Sequence, residues 1–481
     1  MHTQSTLYFA RAVLENLTPL SIATGSPDGV FDTALVRDAN GLPALPGSSL
    51  AGVLRHLWAS THGSDHTNAV FGFQRLDQGQ TSRLQLSWGA LLDSQGRTAE
   101  GLLIGAVSKR LEDPLYAAAL AEIDAPRFRN RVRLGHRGAA ADTGKFDRAV
   151  LAAGHRFAVE LRLAAARDDD GTEWQQVLRL LAHPALRLGG ATRSGLGRLQ
   201  CVSLHQRRFD LRAPADVDAF LALGRGLCDA QGLTRHAPQP DYAQFLSGEL
   251  KLEPRGLWRI GQGDKPLKES GKTPDLLPVV EQRVQWDAAG RGSRGPDRLL
   301  LPAASLKGAL AHRMAFHARR FARLWAEDID MATADDKPAA VAALLGEVKD
   351  KRRGRSERPG QAGALYIDDA WLAVSAVKLV HVTHNGIDRF TGGVRDRVLF
   401  EEESVLGGEL RIPITLDRAF LERSGKADEA RLAFKAALDD LCQGRLALGS
   451  RGSTGNGLFA GELSGDLADW LNTSMPTQEV A

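Results

Sequence analysis

Leu50, Val53, Leu54, Leu57 and Trp58 fall at i, i+3, i+4, i+7 and i+8, the spacing of one helix face. Ser48 and Ser49 stand at its start and are expected to cap it. The rhythm returns from Ser305 through Leu306, Ala309, Leu310 and Met314, then continues into an arginine-rich stretch ending at Trp325. Alternation over Arg83–Trp88 and Gly363–Ile367 predicts strands. Two further helices are predicted over Glu173–Leu181 and Asp428–Leu441. Each leads into a glycine-rich loop and then a strand, Gly197–Leu204 in one case and Gly457–Leu463 in the other. Short strands at Leu20–Gly25 and Trp258–Gly263 each lead to a glycine and an extended loop. Strand, helix, strands, helix, strand is the order of an α+β unit of ferredoxin-like or RRM-like type.

That order occurs twice. Leu45-Pro-Gly-Ser-Ser-Leu-Ala-Gly-Val-Leu-Arg55 is answered by Leu301-Pro-Ala-Ala-Ser-Leu-Lys-Gly-Ala-Leu-Ala311. Lys145-Phe-Asp-Arg148 is answered by Leu399-Phe-Glu-Glu402, and the loop Leu188–Gly197 by Leu448–Gly457. The offsets are 256 residues for Leu50 and Leu306, 254 for Phe146 and Phe400, and 260 for Gly197 and Gly457. Collinear matches at a nearly constant offset mean duplication. The chain therefore divides into a first unit, 1–206, a connector, 207–246, and a second unit, 247–481, with an insertion around 327–361. A helix from Pro214 to Cys228 and a Pro-containing linker are expected in the connector. The Lys/Arg/Glu run that ends the insertion reads as a solvated loop.

Composition narrows the class. At 481 residues, 43% apolar and 25% charged, the chain is expected to fold rather than remain disordered. No apolar run approaches the ~18 residues of a spanning helix, and the polar start lacks a signal-peptide pattern. A soluble cytoplasmic protein with no membrane partner is expected. Cys201, Cys228 and Cys442 form no Cys-x-x-Cys pair, which excludes a disulfide framework and the usual cysteine zinc sites. The net charge of +3 announces no partner, but 48 of the 61 basic residues are arginine, the better phosphate fork and stacking plane. Eight basic residues lie between Arg127 and Arg156 against only Asp142 and Asp147.

Three features could hold phosphate. Glycines let successive backbone N–H groups turn toward one anion, and Gly190, Arg193 and Ser194 in one loop, with Arg451, Ser453 and Thr454 in the other, add donors. The competing reading is a tight helix-to-strand connection that needs small residues. The helix start at Gly47, Ser48 and Ser49 offers free N–H groups, and its counterpart carries Ser305 and Lys307. The basic stretch supplies Arg131, Arg133, His136 and Arg137, a composition suited to tracking an RNA backbone. His62 and His66 have an H-x-x-x-H spacing, but Gly63-Ser-Asp65 between them reads as loop and no glutamate base accompanies them.

Leu45–Arg55, the Leu188–Gly197 loop and Gly386-Ile-Asp-Arg389-Phe-Thr-Gly-Gly393 before Leu399-Phe-Glu-Glu402 resemble the RAMP superfamily. More narrowly, they are similar to the repeated backbone subunits of type III CRISPR effector complexes, over nearly the whole chain. The resemblance implies an RRM-like fold holding a guide RNA, a target RNA paired to it, and neighbouring effector subunits. It also implies a β-hairpin thumb in each unit, matched here by Arg127–Arg156 and His381–Gly408. Arg55, in the helix motif, and Arg389 join the RNA-binding candidates on the same ground. An aspartate between the first strand and the helix would support Mg²⁺- or Mn²⁺-dependent cleavage of the target, and Asp32, six residues before Asp38, matches it. Such a carboxylate could hold the metal beside a scissile phosphate. Asp28 and Asp38 read as turn residues. In the second unit Glu281, six residues before Asp287, takes the matching place; either its longer side chain weakens the geometry or the corresponding residue lies in the Asp264–Asp275 loop. A non-catalytic backbone subunit and a guide-processing endoribonuclease are the alternative functions.

Overall fold

A computed structural model describes residues 4–25, 34–240, 242–268, 273–331, 333–348 and 360–473. The first unit is organised around β1 (Thr6–Asn16), which is almost wholly buried. It is followed by helix α1 (Gly47–Ala59), strands β2 (Leu84–Leu86) and β3 (Arg156–Ala165), helix α2 (Thr172–Leu180) and strand β4 (Leu199–Asp210). β1 pairs antiparallel with β3 and β4, and β3 with β2, giving the order β4-β1-β3-β2. The second unit repeats the plan with β5 (Phe245–Pro254), α3 (Ala303–Phe321), β6 (Leu365–Ile367), β7 (Leu410–Asp417), α4 (Ala427–Cys442) and β8 (Phe459–Ser464). Its order is β8-β5-β7-β6, again antiparallel. Both sheets are the ferredoxin-like arrangement that the order of elements predicted.

The helices cover one face of each sheet because their apolar stripes point that way. Leu50, Leu54, Leu57 and Trp58 of α1 pack with Trp174, Val177 and Leu178 of α2 in one core. Leu306, Leu310 and Met314 of α3 pack with Ala433, Phe434 and Ala437 of α4 in the other. Fully burying such a leucine contributes about 1.5–3 kcal/mol. Leu310→Ala is therefore expected to lower unfolding stability by about 2–5 kcal/mol in urea titration, since a cavity is added to the lost transfer term.

The connector covers the other face of the first sheet. A helix at Pro214–Leu221, shorter than expected, brings Phe220 against Phe9 and Phe209, with ring centroids 5.9 and 5.4 Å away. Arg11 donates from that face to the carbonyls of Gly224 and Asp229. A two-residue strand, Thr234–Arg235, then extends the sheet beside β4. β1 is thus buried from both sides, which is why it reads as a nearly continuous apolar run instead of an alternation.

Two other expectations change. The caps of α1 and α3 are Pro46 and Pro302, with no side-chain hydrogen bond, so Ser48, Ser49 and Ser305 lie inside the first turn. The segments at Leu20–Gly25 and Trp258–Gly263 make only short bridges, and the long strands precede them. Both expected thumbs are hairpins: Arg131–Leu134 pairs with Ala140–Phe146, and Lys378–His384 with Phe400–Leu406.

Candidate nucleic-acid interface

The two glycine loops share one conformation. Ala191 and Arg451 are left-handed at φ 56° and 60°, and Gly195 and Gly455 follow at 94° and 91°. Glycine is required where φ is so positive. Much of the N–H supply returns to the chain: Gly190 donates to Ser21, Ser194 to Ala191 and Gly197 to Pro19. In the second loop Ser450 donates to Arg259, Thr454 to Arg451 and Gly457 to Leu257. The loops are first of all tight helix-to-strand connections, and whatever holds an anion there comes mainly from side chains.

Their surroundings differ completely. The first loop is pressed against the second unit, where Gly195 pairs with the backbone of Asp368 and a Cβ on it would collide with Asp369 and Ala303. The second loop is open at the equivalent point; a Cβ on Gly455 would meet nothing within 4 Å. Ion pairs lock the occupied seam. Arg129 grips both oxygens of Glu281 at 2.7 Å and donates to Asp369 at 2.6 Å. The other oxygen of Asp369 accepts from the Ala303 amide at 2.7 Å, at the start of α3. Arg187 and Arg198 hold Asp368 at 2.5 and 2.8 Å. Arg193 donates to the Gly363 carbonyl at 2.5 Å and to the Tyr366 hydroxyl at 3.1 Å.

Beside these pairs stands a crowd of cations with no carboxylate partner among the described residues. Lys307 donates to the Arg193 carbonyl at 3.1 Å, and Arg131 reaches the Ser194 carbonyl at 3.4 Å. Arg148 lies against Gly190. Its Nε and the hydroxyl of buried Ser21 have no hydrogen-bond partner among the described residues. Burial pulls Lys307 down to about 7, with Lys337, Arg193 and Arg131 adding repulsion. Arg131 falls to about 10 through burial and the charges of Arg129 and Arg148. A buried charge without a counter-charge is unfavourable, and phosphate is an anion whose geometry suits arginine.

The RAMP superfamily pattern matches residues 13–200 and again 291–460. The chain belongs to the RAMP superfamily. That membership makes it a CRISPR-associated RNA-binding protein. No curated protein matches it. No helix among the described residues is long and apolar enough to cross a membrane.

Set in two RAMP units, the candidate residues sort unevenly. Arg131, Gly190, Ser194 and Lys307 converge on the seam between the units. Arg193 reaches the seam too, but its guanidinium is spent on the second unit. Gly47, Ser48 and Ser49 open the uncapped first turn of α1, with Ser48 exposed. Gly47 is needed there because a Cβ would press on the Leu86 and Ser87 carbonyls. Ser305 is half-buried in α3. Arg133 and Arg137 are exposed along the first hairpin, whereas His136 turns to Asp335 of the second unit at 3.0 Å. Arg55 is consumed structurally, donating to Gly72 and Asn68. Arg389 lies over the exposed Phe390 ring at 4.6 Å, at the tip of the second hairpin. Ser453 is exposed on the open loop, and Arg451 approaches Phe400 at 5.7 Å.

The acidic candidates separate as well. Asp32 and Asp28 lie outside the described residues. Glu281 is no free carboxylate, since Arg129 takes both of its oxygens. Asp38 accepts from the amides of Asn40 and Leu42, the turn role expected of it. No group of three His, Cys, Asp or Glu among the described residues could hold a metal ion. His62 and His66 instead pack on Trp58, and His66 meets Glu173.

The units also differ in charge where they correspond. Arg148 and Glu402 occupy the same place at the 254-residue offset. Glu402 is buried and paired with Arg259 at 3.3 Å, while Glu403 accepts from the Leu267 and Lys268 amides. An unpaired cation beside the first loop thus becomes a neutralised pair beside the second.

Proposed function

We propose that this RAMP protein is a two-unit backbone subunit of a type III CRISPR ribonucleoprotein, with the guide RNA backbone crossing the seam between its units. The observation that carries this reading is the unpaired cluster of Lys307, Arg131 and Arg148 at the first glycine loop. Arg133 and Arg137 extend the positive surface along the first hairpin. The open second loop, built like the buried first one, is the natural seat for a neighbouring effector subunit. Target RNA then reaches the complex by base pairing with the guide, which this chain need not read.

Cleavage of that target belongs to the proposal through Asp32, with Mg²⁺ or Mn²⁺ as its companion ion on the strength of the resemblance. The described carboxylates do not assemble a site for the ion, so no step is assigned to it. The second unit is read as non-cleaving, because Glu281 serves the seam.

The test is to assemble the complex with its guide, complementary RNA and Mg²⁺, and to compare wild type with Asp32→Ala and Glu281→Gln. Loss of one cut in Asp32→Ala, with target binding intact and Glu281→Gln cutting normally, is the expected result. Undiminished cutting in Asp32→Ala would assign the chain a purely architectural role, the second reading. Accumulation of unprocessed guide would instead favour a processing nuclease.

A further inference from the structure

Helix α3 outlasts its counterpart. α1 ends after 13 residues with Trp58 fully buried, whereas α3 runs for 19 and carries large rings into solvent. Phe316, Phe321, Leu324 and Trp325 are about half exposed, between 47% and 53%. They are laced with cations. Arg313 lies over Phe316 at 4.8 Å, Phe316 touches His317 at 5.1 Å, His317 stacks on Phe321 at 6.1 Å, and Arg320 covers Phe321 at 4.6 Å.

Of the four arginines between Arg313 and Arg323, two are free to act outward. Arg313 pairs with Asp440, and Arg319 donates to the Ala334 and Asp336 carbonyls. Arg320 and Arg323 make no ion pair among the described residues, and both are exposed. From Ala303 to Ala326 the chain has no acidic residue. Glu327 and Asp328 follow, and Asp328 is used to accept from the Trp325 amide. A protein partner covering this face would have to neutralise Arg320 and Arg323. Single-stranded RNA meets both demands together, since its bases stack on flat rings while its phosphates take the cations.

We propose that the last turns of α3 and the segment just after it, Phe316 through Trp325, form a second RNA contact: a stacking platform for single-stranded RNA outside the seam. Phe321 lies roughly 20 Å along the helix axis from Lys307, so one phosphate cannot serve both places. The proposal goes beyond the backbone-subunit reading and does not depend on Asp32.

The experiment uses the full chain and a fluorescent twelve-nucleotide oligouridylate, followed by anisotropy at low salt. The variants are Phe321→Ala/Trp325→Ala, Arg320→Gln/Arg323→Gln and, separately, Lys307→Ala/Arg131→Ala. Each platform pair is expected to weaken binding about tenfold or more, with circular dichroism unchanged. Photocrosslinking with a 4-thiouridine version of the oligomer should label the peptide spanning residues 316–325. Unchanged affinity together with no label in that peptide would overturn the platform. So would platform variants that bind RNA normally but alter the self-association of the chain, because the face would then be a protein interface. Loss of binding confined to the Lys307→Ala/Arg131→Ala variant would leave the seam reading standing and remove this one.

Discussion

Arg129→Ala should lower the stability of the chain by about 3–5 kcal/mol, the effect of removing one partner from a buried ion cluster. The arginine is 8% exposed and faces Asp369, which is fully buried, and Glu281. Both carboxylates hold the Arg129 proton beyond its ordinary range despite the opposing effect of burial. Without the guanidinium, Asp369 keeps the Ala303 amide as its one hydrogen-bond donor among the described residues, and Glu281 loses both of its hydrogen bonds to Arg129. Burial already pushes Asp369 up to about 6, with Glu281 adding to the push and Arg129 opposing it. The variant should therefore take up protons at this site well above the usual carboxylate range. Urea titration at pH 7 reads the loss. A triple variant, Arg129→Met with Glu281→Gln and Asp369→Asn, should recover much of it, because no buried charge then lacks a partner. An Arg129→Ala protein within 0.5 kcal/mol of wild type would show that the seam does not hold the units together.

Much of this architecture was written locally. The apolar spacing of α1 and α3, the doubled order of elements and the glycine loops led directly to two ferredoxin-like sheets. β1 escaped because burial on both faces erases the alternation by which a strand is usually found. β5 does show it, with Leu250 and Leu252 inward and Glu249, Lys251 and Glu253 alternating with them. Ser48 and Ser49 read as caps of α1 because serine favours that position. Proline, which suits the extended backbone before a helix, occupies it instead.

The candidate site was legible only in part. Lys307, Arg131 and Ser194 stand out in the sequence because each sits in a motif with its own phosphate chemistry, and the fold brings them together at the seam. Asp368, Asp369, Arg187 and Arg198 were missed because their meaning lies in contacts between units. Arg129 meets Glu281 and Asp369 across 152 and 240 residues, and no local pattern records such a partnership. The same contacts explain why Glu281 looked like a weakened catalytic residue. Its place in the repeat corresponds to that of Asp32, but Arg129 takes both of its oxygens and makes it a clamp across the seam. Arg55 was misjudged differently: it belongs to a recognisable motif, yet its guanidinium ties α1 to the following turn.

RNA affinity should fall as pH rises through about 7, and Lys307 should be the reason. Its ammonium, held down to about 7 by burial and surrounding cations, is charged below that pH and neutral above it. A bound phosphate restores the counter-charge and raises the same group toward its ordinary value, so binding takes up a proton. Affinity is then greatest below pH 7 and declines by about ten- to thirtyfold between pH 6 and 8.5, unless a cation that does not titrate takes its place. Lys307→Arg supplies one and should flatten the profile, whereas Lys307→Ala should bind weakly at every pH. Stability of the RNA-free chain should move the opposite way. Between about 7 and the usual lysine range the unfolded chain binds the extra proton, so this group makes the fold more stable as pH rises. Fluorescence anisotropy and urea titration on the same samples read the two trends. Parallel trends in wild type, or an unchanged slope in Lys307→Arg, would remove Lys307 from the phosphate seat and leave Arg131 and Arg148 to hold the strand alone.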